Sequence, residues 1–294
     1  MTVRSFLFTP GDSLKKMEKG AAGPADALIL DLEDSVTEAN RPAARLLVRD
    51  FLVARSPRSR QQLWVRINPL DTPHALTDLA AIIAGRPDGI MLPKVASGRD
   101  VTTLSNYLDA LERVFDVPAG HIKIMPVTTE TPQALFSLGS YGGSSARLHA
   151  LTWGAEDLAA ALGASANRDQ DGRLGFTYQM ARSLCLAGAT AADVVAIETI
   201  FPDFRNRPAL QAYAAASRRD GFRGMMAIHP DQVEIINSAF TPSDQEVAWA
   251  KRVVAAFEGA STGTVGLDGQ MLDMPHLKQA KRLLEAAQLT TRPE

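Results

Sequence analysis

The stretch ALILDLEDSV, residues 27–36, carries four apolar residues straight into Asp31, Glu33 and Asp34. Carboxylates at the end of a buried run are costly unless something pairs with them. Similar endings recur along the chain. Apolar runs close on Pro10-Gly11, on Arg66 and Asn68 of VRIN, on Lys94 of LPKV and on Glu130 of TTETP. Others close on Glu156-Asp157 of GAEDL, on Glu198 and on His229. Carboxylates that converge without thiolates or several histidines suit a hard cation, most simply Mg2+. Mg2+ takes one or two protein carboxylates and completes its shell with water and substrate oxygens. An arginine in the same place holds a carboxylate or steadies a developing enolate oxygen. Plainer roles stand beside these. Asp31, Glu33, Asp34 and Asp157 are all suited to capping a following helix. Glu130 precedes a Thr-Pro helix start, and His229 before Pro230 suits a turn.

These residues can meet only if the chain brings the ends of its apolar runs together. Eight such runs precede residue 231: 5–11, 27–34, 63–68, 89–95, 122–130, 148–157, 193–201 and 224–230. Helical patterns lie between most of them, as at 44–55, 75–85 and 100–115. Near-continuous apolar strands alternating with amphipathic helices predict a parallel sheet covered by helices. Eight units favour a (β/α)8 TIM barrel over an open doubly wound sheet, with the active site at the C-terminal ends of the strands. Neither a dinucleotide fingerprint nor a P-loop follows the first strand.

The expected organisation is a barrel over 1–240 and a C-terminal helical extension or lid over 241–294, contributing to an oligomer interface. In the extension, SDQEVAWAKRVVAAFEGA predicts a helix from Ser243, STGTVGLDGQ a loop, DMPHLKQAKRLLEAAQ a last helix and LTTRPE a frayed tail. The 294 residues are 46% hydrophobic and 22% charged, as in a soluble protein with a large core. A net charge of −2 gives no footprint for nucleic acid. Apolar runs too short to span a bilayer argue against a membrane protein. A single cysteine, Cys185, excludes an intramolecular disulfide. With no secretory pattern in MTVRSFLFTPGDS, the expected location is the cytoplasm.

The stretches RSFLFTPG, ADALILDLEDSV, VRIN, LPKV, ETP, GAEDL, IHPDQVEIIN and LDGQMLDMPHLKQA, in this order from residue 4 to about 282, resemble a known family. It is the citrate lyase β-subunit-like group of the HpcH/HpaI aldolase/citrate lyase superfamily, relatives of malyl-CoA and citramalyl-CoA lyases. The resemblance implies a (β/α)8 barrel in trimers or hexamers and Mg2+-dependent Claisen-type chemistry on an acyl-CoA thioester. It implies Glu130 and Asp157 as metal ligands and Arg66 as the group facing the substrate's acyl carbonyl or carboxylate. It also implies Asp273 as an acid/base supplied by a neighbouring subunit. Phe8 and Lys19, with Gly154, Ala155 and Glu156, match substrate or CoA contacts. Ser13 stands where the family is commonly basic, with Lys15 and Lys16 near enough to substitute. With Glu130 and Asp157 as ligands, Glu33 and Asp34 become supports that hold metal-bound water or Arg66.

The reaction so implied is retro-Claisen cleavage to an acyl-CoA and a 2-oxo acid. Three alternatives accompany it: a citrate lyase β subunit acting on an acyl-carrier-protein thioester within a complex, a malyl-CoA thioesterase, and a barrel that binds without catalysis.

Overall fold

The computed structural model describes residues 3–290 except 59, 259, 261 and 262, with only the backbone at 288–290. Eight parallel strands run β1 Ser5–Pro10, β2 Ala27–Asp31, β3 Gln62–Arg66, β4 Gly89–Leu92, β5 Lys123–Pro126, β6 Ala150–Thr152, β7 Val195–Glu198 and β8 Gly224–Ala227. They are ordered β5-β4-β3-β2-β1-β8-β7-β6, so β5 and β6 are the two ends of the ladder. Single bridges Ile124↔Leu148 and Val127↔Thr152 join those ends, and the sheet closes as a TIM barrel. Between the strands lie the helices that the sequence pattern predicts, among them Arg41–Val53, Ala75–Ile82 and Gly98–Val114.

Side-chain alternation splits the core in two. Phe6, Ala27, Ile29, Trp64, Met91, Met125, Ala150, Ile197 and Met226 fill the barrel interior. Their strand neighbours, such as Leu28, Leu30, Val65, Ile90 and Ala196, pack outward with the helices. Following the same period, Asp31 and Glu33 continue the inward row of β2, whereas Leu32 joins the outer layer.

The seam between β5 and β6 is pinned where those strands begin. Arg147 donates to Glu112 Oε1 at 2.7 Å and to Ile122 O at 3.1 Å. The backbone N–H groups of Gly120 and Ile122 donate to the same Glu112 carboxylate. Burial works against the Glu112 charge, but Arg147 and these donors outweigh it and hold its pKa below the ordinary carboxylate value.

The C-terminal residues form helix Asp244–Glu258, strands β9 Thr264–Leu267 and β10 Gln270–Asp273, and helix Met274–Thr290. Ser243 caps the first of these helices, its hydroxyl accepting from Glu246 N at 3.3 Å while Glu246 Oε2 accepts from Ser243 N at 2.7 Å. Where a loop is expected at STGTVGLDGQ, an antiparallel hairpin forms. Its turn is Asp268-Gly269 with φ of 50° and 76°, the left-handed pair that a tight two-residue hairpin needs. The last helix runs on to Thr290 rather than fraying at 289, and 291–294 lie outside the described residues. Ala250, Val253, Leu272 and Ala280 make a small core of their own. Among the described residues no helix is long and apolar enough to cross a membrane.

Candidate active site

The register of β2 against β3 makes Asp31 and Arg66 direct ladder partners. Both point into the barrel mouth, where Arg66 donates from Nε and Nη2 to the two Asp31 oxygens, each at 2.7 Å. This forked pair is the strong, orientation-fixing form of the arginine–carboxylate contact. Asp31 also accepts from the backbone N–H of Glu33 at 3.0 Å and of Ser35 at 3.1 Å, folding residues 31–35 back over the mouth. Burial raises the Asp31 pKa, but Arg66 and these donors overcome it, and the net shift is downward. Arg66 Nη1 lies 2.9 Å from Glu33 Oε2, without hydrogen-bond alignment, and 3.3 Å from Asp34 Oδ2. From below, the Phe8 ring centroid sits 5.0 Å from the guanidinium carbon.

Across the mouth, Lys94 follows β4 with φ of 51°, a left-handed conformation that costs an ordinary residue about 1–2 kcal/mol. Two contacts accompany it. The Lys94 N–H donates to Glu130 Oε2 at 2.6 Å, and its ammonium donates to Glu33 Oε1 at 2.5 Å. The same Nζ stands 3.5 Å from Asp157 Oδ1 and 3.6 Å from Asp34 Oδ1. Burial opposes the Lys94 charge, yet Glu33, Asp157 and Asp34 outweigh it and raise its pKa. Burial likewise raises the Glu33 pKa, with Arg66 and Lys94 only partly offsetting it.

Glu130 and Asp157 come from the two strands of the barrel seam. Glu130, beyond β5, is buried, whereas Asp157, in the first turn of helix Glu156–Leu162 beyond β6, is partly exposed. Gly154 makes room for the first of them: a Cβ there would stand 3.1 Å from Glu130 Cγ. Thr129 ties the two strand ends, its hydroxyl donating to Gly154 O and accepting from Gly154 N, both at 3.1 Å. Burial pushes the Glu130 pKa up to about 8, and the charges of Asp157 and Glu33 add to the push against the Lys94 N–H. Five carboxylates, Asp31, Glu33, Asp34, Glu130 and Asp157, thus share the mouth with two cations, Arg66 and Lys94. Such a site is short of positive charge. Among the described residues no three His, Cys, Asp or Glu ligands form a ready cage. Glu130, buried and short of positive charge, and Asp157 beside it offer the oxygen donors that suit a hard cation keeping most of its shell as water and substrate.

The structure brings Arg66, Glu130, Asp157, Glu33, Asp34, Phe8, Gly154, Ala155 and Glu156 to one mouth. Ala155 and Glu156 open the helix that carries Asp157, Ala155 buried and Glu156 exposed. The helix-cap alternative falls away for Asp34, since the next helix begins at Glu38 with Thr37 as its cap. Glu130 does sit beside a cap, Thr131 of the helix Pro132–Leu135, while its own side chain turns to the Lys94 N–H. Lys19 is exposed on helix Leu14–Ala22, one turn further from the mouth than Lys15 and Lys16. Asp273 is not brought to the mouth of its own chain. It ends β10, exposed, with its carboxylate 2.5 Å from His276 Nδ1. Pro275, just beyond it, lines a cleft with Arg4, His149 and Arg223 at the opposite end of the barrel, where strands begin.

Two strand-end residues have other work. Glu198 is not at the mouth, because the period of β7 turns Ile197 inward and Glu198 outward. There Glu198 accepts from Trp153 Nε1 at 2.6 Å and Arg182 Nε at 2.7 Å. His229 caps helix Pro230–Phe240 and stacks on Phe204 at 4.6 Å, the turn role rather than a ligand's. Conversely, the contacts of Asp31 and Lys94 give them a larger part than their sequence positions suggested. Inward alternation was the available signal for Asp31; nothing local announces the left-handed backbone of Lys94.

A family model described as HpcH/HpaI aldolase/citrate lyase matches residues 4–230. The citrate lyase subunit beta of Haemophilus influenzae is 30% identical over 99% of this chain and 99% of its own length. A (3S)-malyl-CoA thioesterase of Cereibacter sphaeroides is 31% identical over 97% of this chain and 94% of its own. Among solved structures, the protein CitE from Mycobacterium tuberculosis in complex with magnesium, acetoacetate and coenzyme A superposes with a TM-score of 0.78. That pair is 32% identical, and the match covers 98% of each chain.

Proposed function

The chain belongs to the HpcH/HpaI aldolase/citrate lyase family, and on that premise we propose that it is a Mg2+-dependent carbon–carbon lyase. Its substrate is a 3-hydroxyacyl-CoA thioester of the malyl-CoA or citramalyl-CoA type, cleaved by a retro-Claisen reaction to an acyl-CoA and a 2-oxo acid. The observation that carries this reading is the pairing, in one mouth, of a buried carboxylate short of positive charge, Glu130, with a rigidly clamped arginine, Arg66. A CitE structure with magnesium, acetoacetate and coenzyme A together supports the same combination of ligands.

Glu130 and Asp157 would hold the Mg2+. When bound, the ion supplies Lewis-acid stabilisation to the carboxylate and hydroxyl oxygens of the oxo-acid half of the substrate. Arg66 acts on the other half. Three of its five N–H donors are engaged by Asp31 and Asp34, which leaves two for the thioester oxygen as it takes on enolate charge. Because Asp31 fixes the fork, little reorganisation is needed when that charge develops. Glu33 and Asp34 hold Lys94 and Arg66 in place, and Phe8 supports the guanidinium from inside the barrel.

Carbon–carbon cleavage takes the proton from the substrate hydroxyl, and that proton passes to water in the open mouth as the carbonyl forms. Cleavage leaves a carbanionic α-carbon on the thioester, and a proton must reach it. Asp273 supplies or removes that proton from a neighbouring subunit of a homotrimer or hexamer, since its own chain carries it away from the mouth. Mixing an Arg66→Ala protein with an Asp273→Asn protein under subunit exchange should restore activity that neither has alone. Failure of such complementation in verified mixed oligomers would refute the shared site.

Hydrolysis is the second reading, favoured by the malyl-CoA thioesterase relative. Purified protein given malyl-CoA and citramalyl-CoA should release 2-oxo acid and acyl-CoA in equal amounts, with no free thiol, and stop on EDTA. Free thiol without oxo acid identifies a thioesterase. Turnover of citryl-acyl carrier protein but not of the CoA thioesters assigns the chain to a citrate lyase complex.

A further inference from the structure

Lys94 does not take part in the reaction proposed above, yet it contacts four carboxylates of the mouth. Its ammonium reaches Glu33 at 2.5 Å, Asp157 at 3.5 Å and Asp34 at 3.6 Å, and its backbone N–H holds Glu130 at 2.6 Å. These partners come from the ends of β2, β5 and β6, so Lys94 bridges the mouth rather than one neighbour. An ammonium offers three donors, and here three separate carboxylates surround it, which is how a small cation would be surrounded. Both candidate ligands of Mg2+ are among the residues it touches, one through its backbone and one through its side chain. A fixed positive charge this near Asp157 opposes the entry of a divalent ion by direct Coulomb repulsion. It also occupies, with Glu33 and Asp34, oxygens that would otherwise attract a second ion.

We infer that Lys94 is the resident cation of this mouth: its ammonium stands in for a second metal among Glu33, Asp34 and Asp157, and it weakens the grip of the site on Mg2+. The inference rests on the reading of Glu130 and Asp157 as the ligands. Its consequence is an ion that exchanges readily unless an anionic substrate helps to hold it. Lys94 is thus a residue that sets metal affinity, not a catalytic one.

Calorimetric titration of MgCl2 into the full-length protein without substrate tests this, since it reads binding and not turnover. Lys94→Met keeps the length of the side chain and removes its charge. Lys94→Gly removes the side chain and accepts the left-handed backbone. Both variants are expected to bind Mg2+ about tenfold or more tightly than the wild type, an order-of-magnitude expectation for removing one charge at this range. A merely structural lysine would give unchanged or weaker binding when lost, and that result in both variants overturns the inference. Should Lys94→Met fail to fold, Lys94→Gly decides alone. Glu130→Gln, titrated in parallel, separates the two levels of the argument. If it binds Mg2+ as the wild type does, the ligand assignment itself is wrong. If it loses Mg2+ while both Lys94 variants match the wild type, only the role of Lys94 is wrong.

Discussion

Replacing Glu130 with glutamine is expected to lower kcat/KM for thioester cleavage by about three orders of magnitude, or about 4 kcal/mol of transition-state stabilisation. A divalent Lewis acid supplies several kcal/mol to such chemistry, and this change removes one of the two carboxylates that would hold it. Glutamine is nearly isosteric and keeps a carbonyl oxygen for the Lys94 N–H, which now reaches Glu130 at 2.6 Å. Gly154 already leaves the space for a side chain of this shape. The fold should therefore survive, with thermal stability equal to or above that of the wild type. Burial makes the charged Glu130 costly, so its neutral replacement relieves that cost. Wild-type cleavage by a folded Glu130→Gln protein would sink the metal-centred reading.

Arg66→Ala should cost both activity and stability, and the two losses have different origins. Activity falls by about 10²–10³-fold because a positioned donor to the developing enolate is removed. Stability falls by about 3–5 kcal/mol because Asp31, fully enclosed, loses its forked partner and remains as an uncompensated buried charge. Arg66→Lys separates these effects. A lysine restores the charge beside Asp31 but not the fork, since an ammonium cannot reproduce two parallel N–H contacts. Much of the stability should return while most of the activity does not. Steady-state kinetics and thermal unfolding of the three proteins measure the split. Equal recovery of both quantities in Arg66→Lys would show that Arg66 serves only to neutralise Asp31.

Much of the site was legible in the order of residues. Strand periodicity alone turns Asp31 and Glu33 to one face with Leu32 to the other, and the packing follows that alternation. The motifs VRIN, TTETP and GAEDL mark Arg66, Glu130 and Asp157, and all three reach the barrel mouth. Two elements depart from the simplest reading of their local pattern. Glu198 ends an apolar run like the others, but its parity on β7 sends it outward to Trp153 and Arg182. The hairpin at 264–273 hid in a Gly-rich stretch whose Asp-Gly pair is itself a turn signal.

By itself, then, the sequence determined the eight strand–helix units, the face on which each strand-end residue stands, and the kinds of ligand the mouth offers. These depend on spacings of two to four residues, and such spacings are fixed along the chain. Only the tertiary structure decided which of those residues touch. Asp31 meets Arg66 across 35 positions, Lys94 meets Glu33 across 61, and Glu130 meets the Lys94 N–H across 36. Each contact depends on strand register, and the placing of Glu130 and Asp157 at one mouth depends on closure of the β5–β6 seam. Register and closure arise from packing the whole barrel, and no short stretch of residues contains them. The same holds for Asp273, whose motif names it but whose own fold carries it to the far end of the barrel.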